Sequence, residues 1–145
     1  MSDFQIRTGG DPALFAASSA LRRRVFILEQ GVPEDEVFDG ADEGAVHAVV
    51  FDAGEPVAAA RSVQNGASWQ IGWVAVDPSR RGAGLGRIVM EAAMKAAAER
   101  GGGEILLTAQ QHATGFYEKL GFTQCGEAET LESGFVLVPM KRTIR

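Results

Sequence analysis

The sequence predicts an α/β protein with a mixed central sheet of six to seven strands flanked by helices. Segments of strand and helix period follow one another in the order β-α-β-β-β-α-β-α-β-β. Two apolar runs on either side of Asp52-Ala53-Gly54-Glu55-Pro56 read as an antiparallel hairpin. An apolar run ending at Val76 passes through a proline turn and alternating glycines into an alanine-rich helix, the kind of connection that parallel strands need.

Each element has its own signal. Phe4-Gln5-Ile6-Arg7 alternates apolar and polar as a first strand does. Asp11-Pro12 is a helix start, with Leu14, Ser18, Leu21 and Val25 on one face behind it. Arg22-Arg23-Arg24 reads as a solvated face of that helix, and the acidic, non-periodic residues 34–43 read as a loop. Residues 46–51 and 57–63 form the hairpin, and residues 69–76 the next strand, with Trp69 and Trp73 on one face. Residues 84–100 form a helix in which Ile88, Ala92 and Ala96 recur at every fourth position, ended by three glycines. Residues 104–109 are a short buried strand, and residues 112–119 a helix stopped by Gly121. Residues 122–127 and 134–142 are the last strands, with Cys125 as a small buried residue.

Composition narrows the function. The 145 residues are expected to form a single domain, residues 1–145, with the composition of an ordinary globular protein. A net charge of −5 argues against binding nucleic acid or acidic membranes. One cysteine and two histidines argue against a disulfide and against a metal site. Without a signal core or a membrane-length apolar run, a cytoplasmic location is expected.

The segment from Val74 to Gly86 is the most informative. Glycines at alternate positions let backbone N–H groups approach a ligand, and the helix behind them points its unpaired N–H groups at the same spot. Arg80, Arg81 and Arg87 make a local basic spot, so the segment reads as a pyrophosphate cradle or, failing that, a flexible surface turn. It follows the fourth strand, whereas a dinucleotide fingerprint follows the first. No Gly-Lys-Ser/Thr closes it, so it is not a Walker loop either.

Arg81-x-x-Gly84-x-Gly86 after a strand, followed downstream by Phe116-Tyr117-Glu118-Lys119-Leu120-Gly121-Phe122, resembles the GNAT superfamily of acetyl-CoA-dependent N-acetyltransferases. The run from Leu21 to Pro33, the acidic residues 36–43 and His47 are similar to its ElaA/YjcF-like branch. The resemblance covers residues 4–142 and implies the GNAT fold and transfer of acetyl from acetyl-CoA to a primary amine of a small molecule. A protein Nα-acetyltransferase and a non-catalytic acyl-CoA-binding module are the alternatives.

The resemblance also implies roles. The pyrophosphate would lie on backbone N–H groups from Arg81 through Gly82, Ala83, Gly84, Leu85 and Gly86 to Arg87. The strand edge at Val74, Ala75 and Val76 would hold the pantetheine arm and the acetyl carbonyl, with Gln110 as a further pantetheine contact. Tyr117 matches the family tyrosine that protonates the departing thiolate. Glu29, His47 and His112 could each take the proton of the amine, Glu29 foremost. Relatives with a histidine before the last strand use it as base. Here Ser133-Gly134-Phe135-Val136 holds none, which favours deprotonation through water. The apolar last strands are compatible with a homodimer.

Overall fold

Strands that are apolar at successive positions need cover on both faces of their sheet. The computed structural model, which describes residues 4–42 and 44–144, provides that cover with a helix on each side. Glu43, the last residue of the acidic stretch, lies outside the described residues. Strands β1 (Phe4–Gly9), β2 (Val46–Asp52), β3 (Glu55–Asn65) and β4 (Ser68–Val76) pair antiparallel in sequence order, and β5 (Gly103–Gln110) joins β4 in parallel. The two-residue strands β6 (Thr123–Gln124) and β7 (Glu129–Thr130) each pair with β8 (Val136–Ile144), which lies antiparallel on β5. Seven strands follow one path, β1-β2-β3-β4-β5-β8-β6, and β7 lies beside β8. The mixed sheet is of the predicted class, but among the described residues it has eight strands instead of six to seven: the strand read over 122–127 is only Thr123–Gln124, and β7 is additional.

Four helices flank it: α1 (Pro12–Arg22), α2 (Glu34–Val37), α3 (Leu85–Glu99) and α4 (Thr114–Lys119). Ala48, Val50 and Ala58 pack against Leu85, Val89 and Met90 of α3, while Val49 and Ala59 meet Leu14, Leu21 and Val25 on the other face. Leu14, Ser18, Leu21 and Val25 are all buried, as their spacing predicts. The stripe on α3 is wider than predicted: Ala96 is buried as expected, Ile88 and Ala92 are only half-buried, and Val89, Ala93 and Ala97 beside them are fully buried. No helix among the described residues is long and apolar enough to cross a membrane.

Several local expectations are corrected. α1 continues through Arg23–Glu29 as wider π-helical turns, and α2 is a single turn inside the stretch read as a loop. Cys125 is exposed, as are Thr123 and Gln124 of β6 before it, because they lie on or directly after the outermost strand of the sheet. Trp69 and Trp73 lie on opposite faces: Trp69 joins the core under α3, and Trp73 packs beneath α1. Trp73 has a left-handed φ of 52°, and the β3–β4 register shifts beside it. The extra residue of that bulge inverts the alternation of everything after it.

Candidate active site

The bulge opens the site. β4 and β5 pair only at Ser68–Glu104, Trp69–Ile105 and Gln70–Leu106. Beyond Gln70 the two strands part, and Trp73 and Val74 have no partner in either neighbouring strand. A left-handed tryptophan costs on the order of 1–3 kcal/mol, so its surroundings must hold it there. Phe26 meets its ring edge-on at 5.0 Å, and the Arg22 guanidinium lies 5.8 Å from its centre. A cavity of about 540 Å³ fills the gap, walled by residues 70–74 of β4 and residues 107–110 of β5.

The glycine loop leads away from the same strand. Asp77 accepts hydrogen bonds from the Ser79 backbone N–H (3.0 Å) and hydroxyl (2.9 Å), and Arg24 donates to its other oxygen at 2.5 Å. That turn delivers the chain to Gly82 (φ 87°) and to Gly84 (φ 78°), which caps α3 in a left-handed conformation. Any other residue type would be strained at both. Gly86 serves packing: a Cβ there would stand 3.2 Å from the Phe116 ring. The first-turn N–H groups of α3 have no partner within the helix and carry the positive end of its dipole.

Each arginine of the basic spot holds a carboxylate. Arg80 binds Asp52, Arg87 binds Glu91 at 2.6 Å, and Arg81 grips Glu29 through two bonds of 2.6 Å. Glu29 thus sits beside the loop and outside the cavity, and Arg81 holds its carboxyl below the usual range. A carboxylate so held is a poor proton acceptor.

Tyr117, Gln110 and Val74 line the cavity together. Tyr117 is seated between Phe116 and Phe122, and burial pushes its phenol up to about 12, so it keeps its proton at neutral pH. Gln110 ends β5 and donates through Nε2 to the Gln30 side chain at 3.2 Å. His112 stands exposed on the cavity rim. His47 is buried elsewhere: it lies on β2, stacks on Phe15 at 5.5 Å, and burial lowers its pKa.

Sequence reasoning missed the far wall. Arg22, read as solvated, is 0% exposed and donates to Asp42 at 2.5 Å and to the Val37 carbonyl. Its guanidinium also lies 4.9 Å from the centre of the Phe38 ring. Arg61 of β3 donates to both oxygens of Asp39, at 2.7 and 3.1 Å, and reaches Asp42 at 3.5 Å. The acidic stretch is therefore pinned to the sheet, and Asp39 and Arg61 join Phe26 in the cavity wall. Arg61 inside an otherwise apolar strand was the available signal, because buried arginines need acidic partners.

A gap between two parallel strands, a left-handed glycine at the mouth of the next helix, and a protonated phenol in the gap make a site that suits acyl transfer. The residues fit a coenzyme A thioester: the unpaired strand at Trp73 and Val74 can take an extended amide chain, and the start of α3 can take its phosphates. The chain belongs to the GNAT acetyltransferase family, whose domain, described as "Acetyltransferase (GNAT) domain", matches residues 19–144. It is 36% identical to the uncharacterized N-acetyltransferase YjcF of Bacillus subtilis over 84% of this chain and 87% of that protein. It is 42% identical to the chloroplastic serotonin N-acetyltransferase 2 of rice (Oryza sativa subsp. japonica), over 79% of this chain and 56% of that protein. The crystal structure of Escherichia coli ElaA superposes with a TM-score of 0.85 at 25% identity, covering 98% of this chain and 99% of that one. The ElaA/YjcF-like branch is thereby supported, and an aminoglycoside 6'-N-acetyltransferase of the same fold, at 21% identity and a TM-score of 0.75, was solved in complex with coenzyme A.

Proposed function

We propose that this chain transfers acetyl from acetyl-CoA to the primary amine of a small molecule, by direct attack in a ternary complex. The observation that carries this reading is a single cavity between β4 and β5 that holds the strand edge and a protonated Tyr117 together. The name of the rice relative, a serotonin N-acetyltransferase, supports a small amine as acceptor.

Acetyl-CoA supplies an acyl group already activated as a thioester. The Val74–Val76 edge and Gln110 hold its arm, and the N–H groups from Arg81 to Arg87 hold its pyrophosphate. The neutral amine forms the C–N bond as the C–S bond breaks. Its proton passes to water in the cavity, and Tyr117 gives its own proton to the departing sulfur. Glu29 steadies Arg81 at the loop.

Calorimetric titration with acetyl-CoA and thiol release against small amines and N-terminal peptides test this. Binding together with release on small amines is the expected result. Release on peptides alone would move the acceptor to protein N-termini, and no binding at high micromolar acetyl-CoA would reject the donor site. Glu29→Gln should raise the KM for acetyl-CoA and leave kcat within about threefold. A fall in kcat of about a hundredfold would make Glu29 the base after all.

A further inference from the structure

The cavity has two chemically different ends. Tyr117 and Leu107 belong to the face of the sheet under α3, whereas Phe26 and Trp73 belong to the face under α1. α3, whose start takes the phosphates in the reading above, packs on the first face, which leaves the second end for the acceptor. There the walls are the aromatic rings of Phe26 and Trp73, and the charged groups are Asp39 and Arg61.

Those two charges are not equally available. The Arg61 side chain is 10% exposed, and its terminal nitrogens make three hydrogen bonds, two to Asp39 and one to Asp42. Its Nε is buried without a partner and faces no open space. The Asp39 side chain is 39% exposed. Its Oδ1 accepts from Arg61 and from the Ala41 N–H, while its Oδ2 accepts from Arg61 alone. A carboxylate oxygen has room for a second donor, so accepting capacity remains on the cavity side. Arg61 holds the Asp39 carboxyl down at about 2, so it stays ionised at any pH where an amine can react. Behind it, buried Asp42 is shared between Arg22 at 2.5 Å and Arg61 at 3.5 Å, which leaves Asp39 as the carboxylate on the cavity side.

We propose that Asp39 selects acceptors carrying a second cation at the far end of an apolar spacer, so that one amine is acetylated near Tyr117 while the other is held by the carboxylate. This rests on the acetyl-transfer reading above and names its acceptor class. An acceptor ending in a carboxylate would meet the ionised carboxylate of Asp39, the more exposed of the two charged groups. One ending in a methyl group would add no donor to the remaining capacity of the Asp39 Oδ2. The spacer lies against Phe26 and Trp73.

The test is calorimetric binding to the protein saturated with CoA, which needs no turnover. The probes are hexamethylenediamine, n-hexylamine and 6-aminohexanoate. The diamine should bind at least about tenfold more tightly than the monoamine, with the amino acid weakest. Asp39→Asn should bring the ratio of diamine to monoamine close to one, and Asp39→Glu should restore part of it. Equal binding of diamine and monoamine by the native protein, or preference for 6-aminohexanoate, would overturn the assignment without any variant. Persistence of the preference in Asp39→Asn would place the second cation elsewhere and also overturn it. Failure of the acetyl-transfer reading looks different: CoA would not bind, or no amine of any charge would release thiol.

Discussion

Tyr117→Phe lowers turnover by about 10²- to 10⁴-fold while acetyl-CoA binds nearly as before. The substitution removes one oxygen and leaves the ring. Phe116 and Phe122 hold that ring edge-on, with centres 5.0 and 6.1 Å away, so its position does not depend on the hydroxyl. Tyr117 is the only tyrosine in the chain, so no second phenol can take over the proton transfer. Burial with no nearby charge keeps the group protonated, which suits an acid and excludes a phenolate base at neutral pH. Steady-state thiol release at saturating donor, paired with calorimetry of acetyl-CoA, separates the proton from the packing. An unchanged rate rejects the role.

Arg22→Met destabilises the fold by about 3–5 kcal/mol, as expected when one partner of a buried ion pair is removed. Methionine fills much of the same volume, so the loss reports on charge and hydrogen bonds. Two acceptors lose their donor at once: the Asp42 carboxylate, itself buried, and the Val37 carbonyl. Arg61 at 3.5 Å from Asp42 retains part of the compensation. Replacing Asp42 by leucine in the same chain should recover much of the loss, because no uncompensated charge then stays buried. Urea denaturation of the single and double variants measures both. A cost below about 1 kcal/mol for Arg22→Met would mean that water reaches the pair. The variant also removes the cation beside Trp73, so the bulge should loosen with it.

Elements set by local chemistry could be read directly from the chain. The hairpin, the proline-capped start of α1 and the turn from β4 into α3 follow from residues close in sequence, and all three form. Tyr117 and Gln110 could be placed on the same cavity because their motif carries a fixed topology with it. Arg22 could not. Its burial depends on Asp42 and the Val37 carbonyl, groups 20 and 15 residues away, while its neighbours Arg23 and Arg24 do lie on the surface. The bulge escaped for another reason: alternation assumes a regular pleat, and one extra residue reverses it. Gly72 inside an apolar strand was the available signal for that irregularity. The missed far wall follows from both, since Arg61 holds Asp39 at the cavity, Arg22 pins Asp42 behind it, and Trp73 turns to it through the bulge.

The wide winding of Arg23–Glu29 has a consequence for how the site can vary by descent. A π-helical turn holds one residue more than an α-helical one, so the segment has the geometry of a single-residue insertion. Glu29 ends that segment and Gln30 follows it, and they reach Arg81 beyond β4 and Gln110 at the end of β5. Losing one residue upstream would turn both side chains by about 100° around the axis. Both bridges across the mouth would then break together, with every side chain that forms them still present. Chain length in this segment is thus a heritable variable of its own, able to reset the entrance in one step where substitutions would need two.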